Sequence, residues 1–273
     1  MTADAPVIGP GMVLRNCRHG TMMYPLGDRY IGRSLDLYGE YSEAEVDVFR
    51  ILLRPGDVVV DAGANLGALT LPFARFVGET GQVVAFEPQR PLFYMLCGNL
   101  AINTIENVTA VQAALGAAEG TIRVPVVRAQ AQLNFGGISI DGESGEPVRL
   151  RTIDSLAFAR LRLIKIDVEG AELGVIQGAG ETIRRLRPFL FVENDRKEKS
   201  VAVIEALFAL GYRLWWHFAP LYSAKNFRGN ADNVFGNIGS WNMIGIPREI
   251  HYPLVGLPEI TDAADWPLDK PGG

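Results

Sequence analysis

Between Asp57 and Asn194, short runs of β-branched apolar residues alternate with stretches of helical periodicity, the pattern of successive βαβ units around a parallel sheet. Five runs predict strands: Asp57–Asp61 (DVVVD), Gln82–Glu87 (QVVAFE), Val108–Leu115 (VTAVQAAL), Leu161–Asp167 (LRLIKID) and Phe189–Glu193 (FLFVE). Their nearly continuous hydrophobicity marks them as buried on both faces. The intervening segments Leu66–Val77, Pro91–Asn103, Ala171–Leu186 and Glu198–Leu210 predict helices, with Pro91 suited to a first turn and Gly211 to a stop. Two further apolar runs, Tyr212–His217 and Asn242–Pro247, follow with no helical segment between them, so they pair antiparallel at the sheet edge. The expectation is an α/β fold: a doubly wound, mostly parallel sheet of seven strands with an antiparallel last strand.

Three segments fall outside this alternation. Ser42 and Glu45 form an S-x-x-E capping box that starts a helix running to about Leu53, which makes residues 1–56 an N-terminal extension with a capping helix ahead of a 57–247 domain. Residues 248–273 carry four prolines and little periodicity, and are expected on the surface. Residues 218–240 are too long for a hairpin turn and rich in Asn, Gly and aromatics, which makes them a candidate substrate loop.

Composition narrows the class. The 273 residues include 48% hydrophobic and 21% charged side chains, ordinary for a globular chain that buries a full core. The net charge of −5 argues against nucleic-acid binding, which Lys and Arg drive by counterion release. Cys17 and Cys97 sit in no metal-binding spacing, and neither a signal segment nor a run of about 18 to 20 apolar residues is present, so a cytoplasmic protein is expected. Met22-Met23-Tyr24 is the apolar stretch expected to serve a homo-oligomer contact.

The segment Asp61-Ala-Gly63-Ala-Asn65-Leu-Gly67 follows a strand and opens a helix, the context in which a glycine loop binds nucleotide-like ligands. Gly63 permits close backbone approach, Gly67 permits tight helix packing, and Asn65 tolerates positive φ. A dinucleotide loop would carry Gly where Asp61 stands, because a pyrophosphate there meets the helix N-terminus and a carboxylate would repel it. An acid instead suits a ligand presenting ammonium or hydroxyl groups, such as the amino-acid moiety of S-adenosylmethionine. Glu87, 26 residues on and at the end of the second strand, is placed to accept hydrogen bonds from ribose hydroxyls.

Four stretches, VVVDAGANLG (58 to 67), VVAFEPQ (83 to 89), TIDSL (152 to 156) and IKIDVEGAE (164 to 172), together resemble the FkbM type of S-adenosylmethionine-dependent methyltransferase over roughly residues 57–194. The resemblance implies a Rossmann-like class I methyltransferase fold. It implies that Asp61, Gly63, Ala64, Asn65 and Gly67 line the methionine end of the cofactor, with Asp167 nearby. Glu87 would then hold the ribose, and Pro88 and Gln89 would flank the adenosine. At the adenine end, where many class I enzymes place a polar residue, the chain reads Gln112-Ala113-Ala114, so backbone groups or Gln112 serve there. The implied reaction is O-methylation of a glycan, glycolipid or natural product, so the partner is a small-molecule, glycan or lipid acceptor.

Methyl transfer to an alcohol needs collinear alignment and a group that takes the hydroxyl proton. Open α/β sheets bind ligands at the carboxyl ends of their strands, where Asp167, Glu169, Glu193, Asn194, Asp195 and His217 fall. Asp167, Glu193 and His217 are the candidate bases, His217 because imidazole titrates near neutrality. Asp167 with Glu193 and Asn194 also offers oxygen ligands of the type that hold Mg2+. Tyr38–Ser42, with Glu40 and Ser42, is a candidate lid, and Asn134–Ser139 a candidate cofactor-side loop. Trp215, Trp216, Phe218, Tyr222, Phe227, Phe235 and Trp241 offer faces for stacking a sugar ring, and Asn226, Arg228, Asn230 and Asn233 offer hydroxyl-binding groups. Two alternatives stay open: a nicotinamide-dependent oxidoreductase and a nucleoside-binding protein without catalysis.

Overall fold

The computed structural model describes residues 7–9, 11–125, 144–252 and 254–269. Strands β1 (Val7–Gly9), β2 (Met12–Cys17) and β3 (Gly20–Pro25) form a small antiparallel sheet, followed by helices α1 (Ile31–Tyr38) and α2 (Glu43–Leu52). The alternating region then runs β4 (Val58–Ala62), α3 (Thr70–Val77), β5 (Gln82–Phe86), α4 (Arg90–Ile102) and β6 (Val108–Val111). A second small sheet comprises β7 (Ala114–Leu115), β8 (Gly120–Val124) and β9 (Glu146–Arg151). The chain continues through β10 (Leu163–Ile166), α5 (Glu172–Gln177), α6 (Gly180–Leu186), β11 (Phe189–Glu193) and α7 (Lys197–Ala209) to β12 (Tyr212–Pro220), β13 (Gly239–Pro247) and β14 (Glu259–Ile260).

The main sheet has the order β14-β12-β13-β11-β10-β4-β5-β6. Its seven expected strands are all present, and β13 runs antiparallel between β11 and β12. β4 and β10 are parallel neighbours from distant parts of the chain. Their shared carboxyl edge is thus the topological switch point at which ligands enter such sheets. One face of the sheet carries α5, α6 and α7 through Val175, Ile183 and Ile204, and the other carries α2 and α3 through Phe49 and Phe73. Phe49 packs edge-on against both Phe73 and Phe191, with ring centroids 4.6 Å apart in each pair. Each contact adds about 0.5–1.5 kcal/mol beyond area burial, and together they fix α2 over the switch point.

Five expectations change. The C-terminal segment adds β14 as an eighth strand beside β12, and buries Ile260 and Trp266 in the core, so the proline-rich tail is structural where a surface position was expected. The run Val108–Leu115 divides at Gln112 into β6 and β7, because Ala114 leaves the main sheet to pair with Leu150. The helix expected over Ala171–Leu186 breaks at Gly178, where a Cβ would lie 2.0 Å from the Gly116 carbonyl. Ser42 precedes α2 as expected but adopts φ +50 and makes no side-chain cap bond. Met22 and Tyr24 are buried against α4 and the glycine loop, so that stretch is core and not a free contact surface.

Candidate active site

The glycine loop leaves β4 with Gly63 at φ +80, Asn65 at φ +51 and Gly67 at φ +93, which delays α3 to Thr70. The loop is tied to β10: a Cβ on Gly63 would lie 1.7 Å from the Asp167 carbonyl, a separation that only glycine permits. Gly67 packs against Leu96 of α4, the helix-packing role its position suggested. The Glu87 carboxylate reaches under the loop, accepting from Asn65 N at 2.9 Å and Gln89 N at 2.8 Å.

Gly63, Ala64, Asn65, Glu87, Pro88, Gln89, Ala113 and Asp167 line a single cavity of about 500 Å3, in the range of small-molecule sites. Its walls also include Phe86, Leu115, Ile122 and Leu150 on the apolar side, and Lys165, Glu169, Glu193 and Asp195 on the charged side. Asp61, Gly67, Gln112 and His217 are not among its lining residues.

Asp61 is fully buried, accepts from Thr70 Oγ1 at 2.6 Å, and lies opposite Lys165 in the β4/β10 register. It therefore supports the loop from below, where a ligand-facing position was expected. His217 lies inside β12, which runs on to Pro220, and its ring packs on Phe191, so the strand-end position expected of a base is absent. Burial lowers its pKa. Asn194 turns away from the cavity, donating to Ser200 Oγ at 2.8 Å, and so does not join Asp167 in an oxygen-ligand set.

The residue that the sequence reading passed over is Lys165. Its Nζ donates to the Gly63 carbonyl at 2.8 Å and sits 3.1 Å from Asp167 Oδ2 and 3.5 Å from Asp61 Oδ1. Burial works against the ammonium, but Asp167, Asp61 and Glu45 outweigh it and raise its pKa. A charge inside a strand otherwise apolar on both faces must be paired, and that was the available signal.

Acidic groups crowd the charged side of the cavity. One carboxylate oxygen from each of Asp167, Glu169 and Glu193 lies within 4.8 Å of the others. Burial and the Asp167 charge push Glu193 well above the usual carboxylate range and Glu169 up to about 8, although Arg196 pairs with Glu169 at 2.8 Å. Glu169 adopts φ +58 in a turn that Glu172 ties from both sides, its Oε1 accepting from Gly170 N at 2.8 Å and Val168 N at 3.3 Å. From α2, buried Glu45 accepts from Asn242 Nδ2 at 3.2 Å; burial and the Asp167 charge push it up to about 7. Burial likewise pushes Glu87 up to about 7.

These raised acids fix a pH dependence. Glu45, Glu87 and Glu169 hold protons in the fold that they release when unfolded, so their stabilisation is complete below about pH 4.5 and is lost as pH rises through about 7 to 8. His217 runs the other way below about 6.5, one group against three. The unliganded protein should therefore melt higher near about pH 5.5 than near about pH 8, by roughly 2–4 °C per kcal/mol. Glu87→Gln should flatten the slope, and a melting temperature that climbs over this span would refute the assignment.

The roof is built from segments outside the βα units. Tyr30, Ile31 and Tyr41 from the N-terminal side meet Leu221, Ile238, Gly239 and Ser240 from the late loop. Tyr38 Oη donates to the Asp232 carbonyl at 2.8 Å and accepts from Val234 N at 3.0 Å, while Glu40 accepts from Phe227 N at 2.6 Å and Arg18 Nε at 2.7 Å. Glu40 thus clamps the loop and its carboxylate is occupied. The expected stacking faces lie elsewhere: Trp215 and Trp216 are core, Phe235 packs on Tyr38, and Phe218 and Phe227 are exposed away from the cavity. Asn226 and Asn230 bond within the loop and to α1, so they hold the loop's shape. The Asn134–Ser139 loop lies outside the described residues. Among the described residues, no helix is long and apolar enough to cross a membrane.

Comparison with known proteins places this geometry in context. Residues 61–214 match the Methyltransferase FkbM domain. The chain is 30% identical to Methyltransferase sdnD of Sordaria araneosa, in a match covering 55% of this chain and 70% of that protein. Among solved structures it is similar to the FkbM methyltransferase of Methylobacillus flagellatus, with 18% identity, a TM-score of 0.47, and coverage of 73% of this chain and 50% of that one. The chain thus spans half the length of that structure. It is also similar to TYW2 of M. jannaschii, solved in complex with AdoMet, with 11% identity, a TM-score of 0.44, and coverage of 87% and 86%. With more than half of its length matched by the domain that carries the glycine loop and the β10 carboxylates, the chain belongs to the FkbM methyltransferase family.

Proposed function

We propose that the protein is an S-adenosylmethionine-dependent O-methyltransferase acting on a hydroxyl of a glycan, glycolipid or natural product. The carrying observation is one cavity that brings together the Gly63–Asn65 loop, Glu87, apolar Ala113, Leu115 and Leu150, and the Asp167, Glu169 and Glu193 cluster. The donor set fits the cofactor. Glu87 keeps its carboxylate on the cavity wall while two backbone N–H groups orient it toward a ribose diol, the apolar wall suits an adenine, and the carboxylates suit a cationic sulfur. When bound, the cofactor would supply an electrophilic methyl group.

Glu193, with Asp167 beside it, would then take the hydroxyl proton as the acceptor oxygen receives the methyl group, a role suited to a carboxyl that burial and the Asp167 charge hold well above the usual carboxylate range. Lys165 and Arg196 already bring positive charge to this cluster, so we assign it to proton handling and not to Mg2+. Family membership favours this reading over a nicotinamide enzyme, and the two free cysteines suit a cytoplasmic setting.

The test is calorimetry with S-adenosylmethionine, S-adenosylhomocysteine and NAD, followed by a radiolabelled methyl-transfer screen of lysate glycans, lipids and small molecules. Binding of the two sulfur nucleosides and activity unchanged by EDTA are expected. Binding of NAD alone would overturn the reading, and loss of activity in EDTA reversed by added magnesium would return the metal to the site.

A further inference from the structure

A second depression, of about 690 Å3, lies outside the roof and shares Tyr30 and Ile238 with the cavity wall. Arg29, in the turn before α1, and Arg33, in its first turn, both line it and are exposed. Among the described residues neither guanidinium has an ion-pair or hydrogen-bond partner, and Arg33 is steadied only by the Phe235 ring, 5.8 Å from its centroid. The acids of the same depression are committed elsewhere. Asp28 is buried and accepts from Gly32 N at 2.8 Å, and Asp36 pairs with Arg15 at 3.3 Å and accepts from Tyr24 Oη. Three large apolar side chains that the fold leaves exposed, Leu26, Val234 and Ile238, converge on the depression as well.

We propose that this depression binds the part of the acceptor that projects from the cavity, and that this part is an amphiphilic oxyanion: an apolar group carrying a phosphate or a carboxylate. Two unpaired guanidinium forks recognise either oxyanion, and the exposed aliphatic surface covers the apolar group. The cavity supplies the complementary constraint. The cations beside its carboxylates, Lys165 and Arg196, are already paired with Asp167 and Glu169 and leave an anionic substituent no free partner, so an acceptor bearing one holds it outside while presenting its hydroxyl to Asp167 and Glu193. The word acceptor rests on the methyl-transfer reading; the binding itself does not.

The probes are hexyl phosphate, hexanoate and hexyl glucoside, titrated at low salt into the full chain, the Arg29→Ala/Arg33→Ala double variant and the Arg29→Lys/Arg33→Lys double variant. Saturable one-site binding of at least one anion in the millimolar range or tighter is expected, weakened about tenfold or more in the alanine variant and partly restored by lysine. The stronger anion identifies the headgroup. Leu26→Ser should weaken hexyl phosphate while leaving inorganic phosphate unchanged. Equal binding of hexyl glucoside, equal binding by the alanine variant, or no saturable anion binding would overturn the proposal. S-Adenosylhomocysteine affinity, measured in parallel, should be the same in all variants. If it is absent even in the unmodified protein while the anion still binds, the methyl-transfer reading falls and the oxyanion site stands.

Discussion

Lys165→Met is expected to lower stability by about 3–5 kcal/mol and to weaken S-adenosylhomocysteine binding at least about tenfold, read by denaturant unfolding and calorimetry. The side chain is 2% exposed and its ammonium holds three oxygens from two strands: the Gly63 carbonyl, Asp61 and Asp167. Removing it leaves the Asp61 carboxylate buried with Thr70 as its remaining donor, and an uncompensated buried charge is the costly outcome. Removal also releases the Gly63 carbonyl, which anchors the loop against β10. Asp61→Asn/Lys165→Met should regain part of the stability, since the buried charge disappears with its partner, yet should not regain affinity, because the loop anchor is still missing. If the single variant unfolds at the same denaturant concentration as the parent, Lys165 is not the tie that joins the two strands.

This ion pair also explains how far the sequence could be read. The βα alternation, the glycine loop and Glu87 were legible because they depend on local chemistry: apolar runs, positive φ, an acid at a strand end. Asp61 was legible as a singular acid but not in its direction, since its meaning depends on Lys165, which lies over 100 residues away and faces it only through the β4/β10 register. Glu45 and Tyr41 reach the site from a helix and turn that precede the alternating region, placed there by the packing of Phe49 on Phe73 and Phe191. No periodicity signals such an approach. The tail was misjudged for a related reason: two residues, Glu259 and Ile260, form a strand too short to leave a pattern, and one tryptophan, Trp266, buries itself against Trp216. His217 misled because β12 continues three residues beyond the apolar run that seemed to end it, into Phe218-Ala219-Pro220.

Glu193→Gln and Asp167→Asn should each reduce kcat/KM for methyl transfer by about 10²–10⁴, with S-adenosylhomocysteine affinity changed much less in Glu193→Gln. The two carboxyls lie close together, and burial with the neighbouring Asp167 charge holds Glu193 well above the usual carboxylate range. Glu193 in its deprotonated form takes the acceptor proton, which places a rising limb in the pH dependence of kcat/KM. In Asp167→Asn the like charge next to Glu193 is gone, and that charge is the second cause, after burial, of its elevation. The limb of the residual activity should therefore move to lower pH. Glu193→Gln is the cleaner probe because Asp167 and its contact to Lys165 remain intact, whereas Asp167→Asn alters the charge balance of the Lys165 tie and must be paired with a stability measurement. Retention of full kcat/KM in Glu193→Gln, with a normal pH profile, would remove the pair from proton transfer and leave alignment of the acceptor as the means by which this cavity accelerates the reaction.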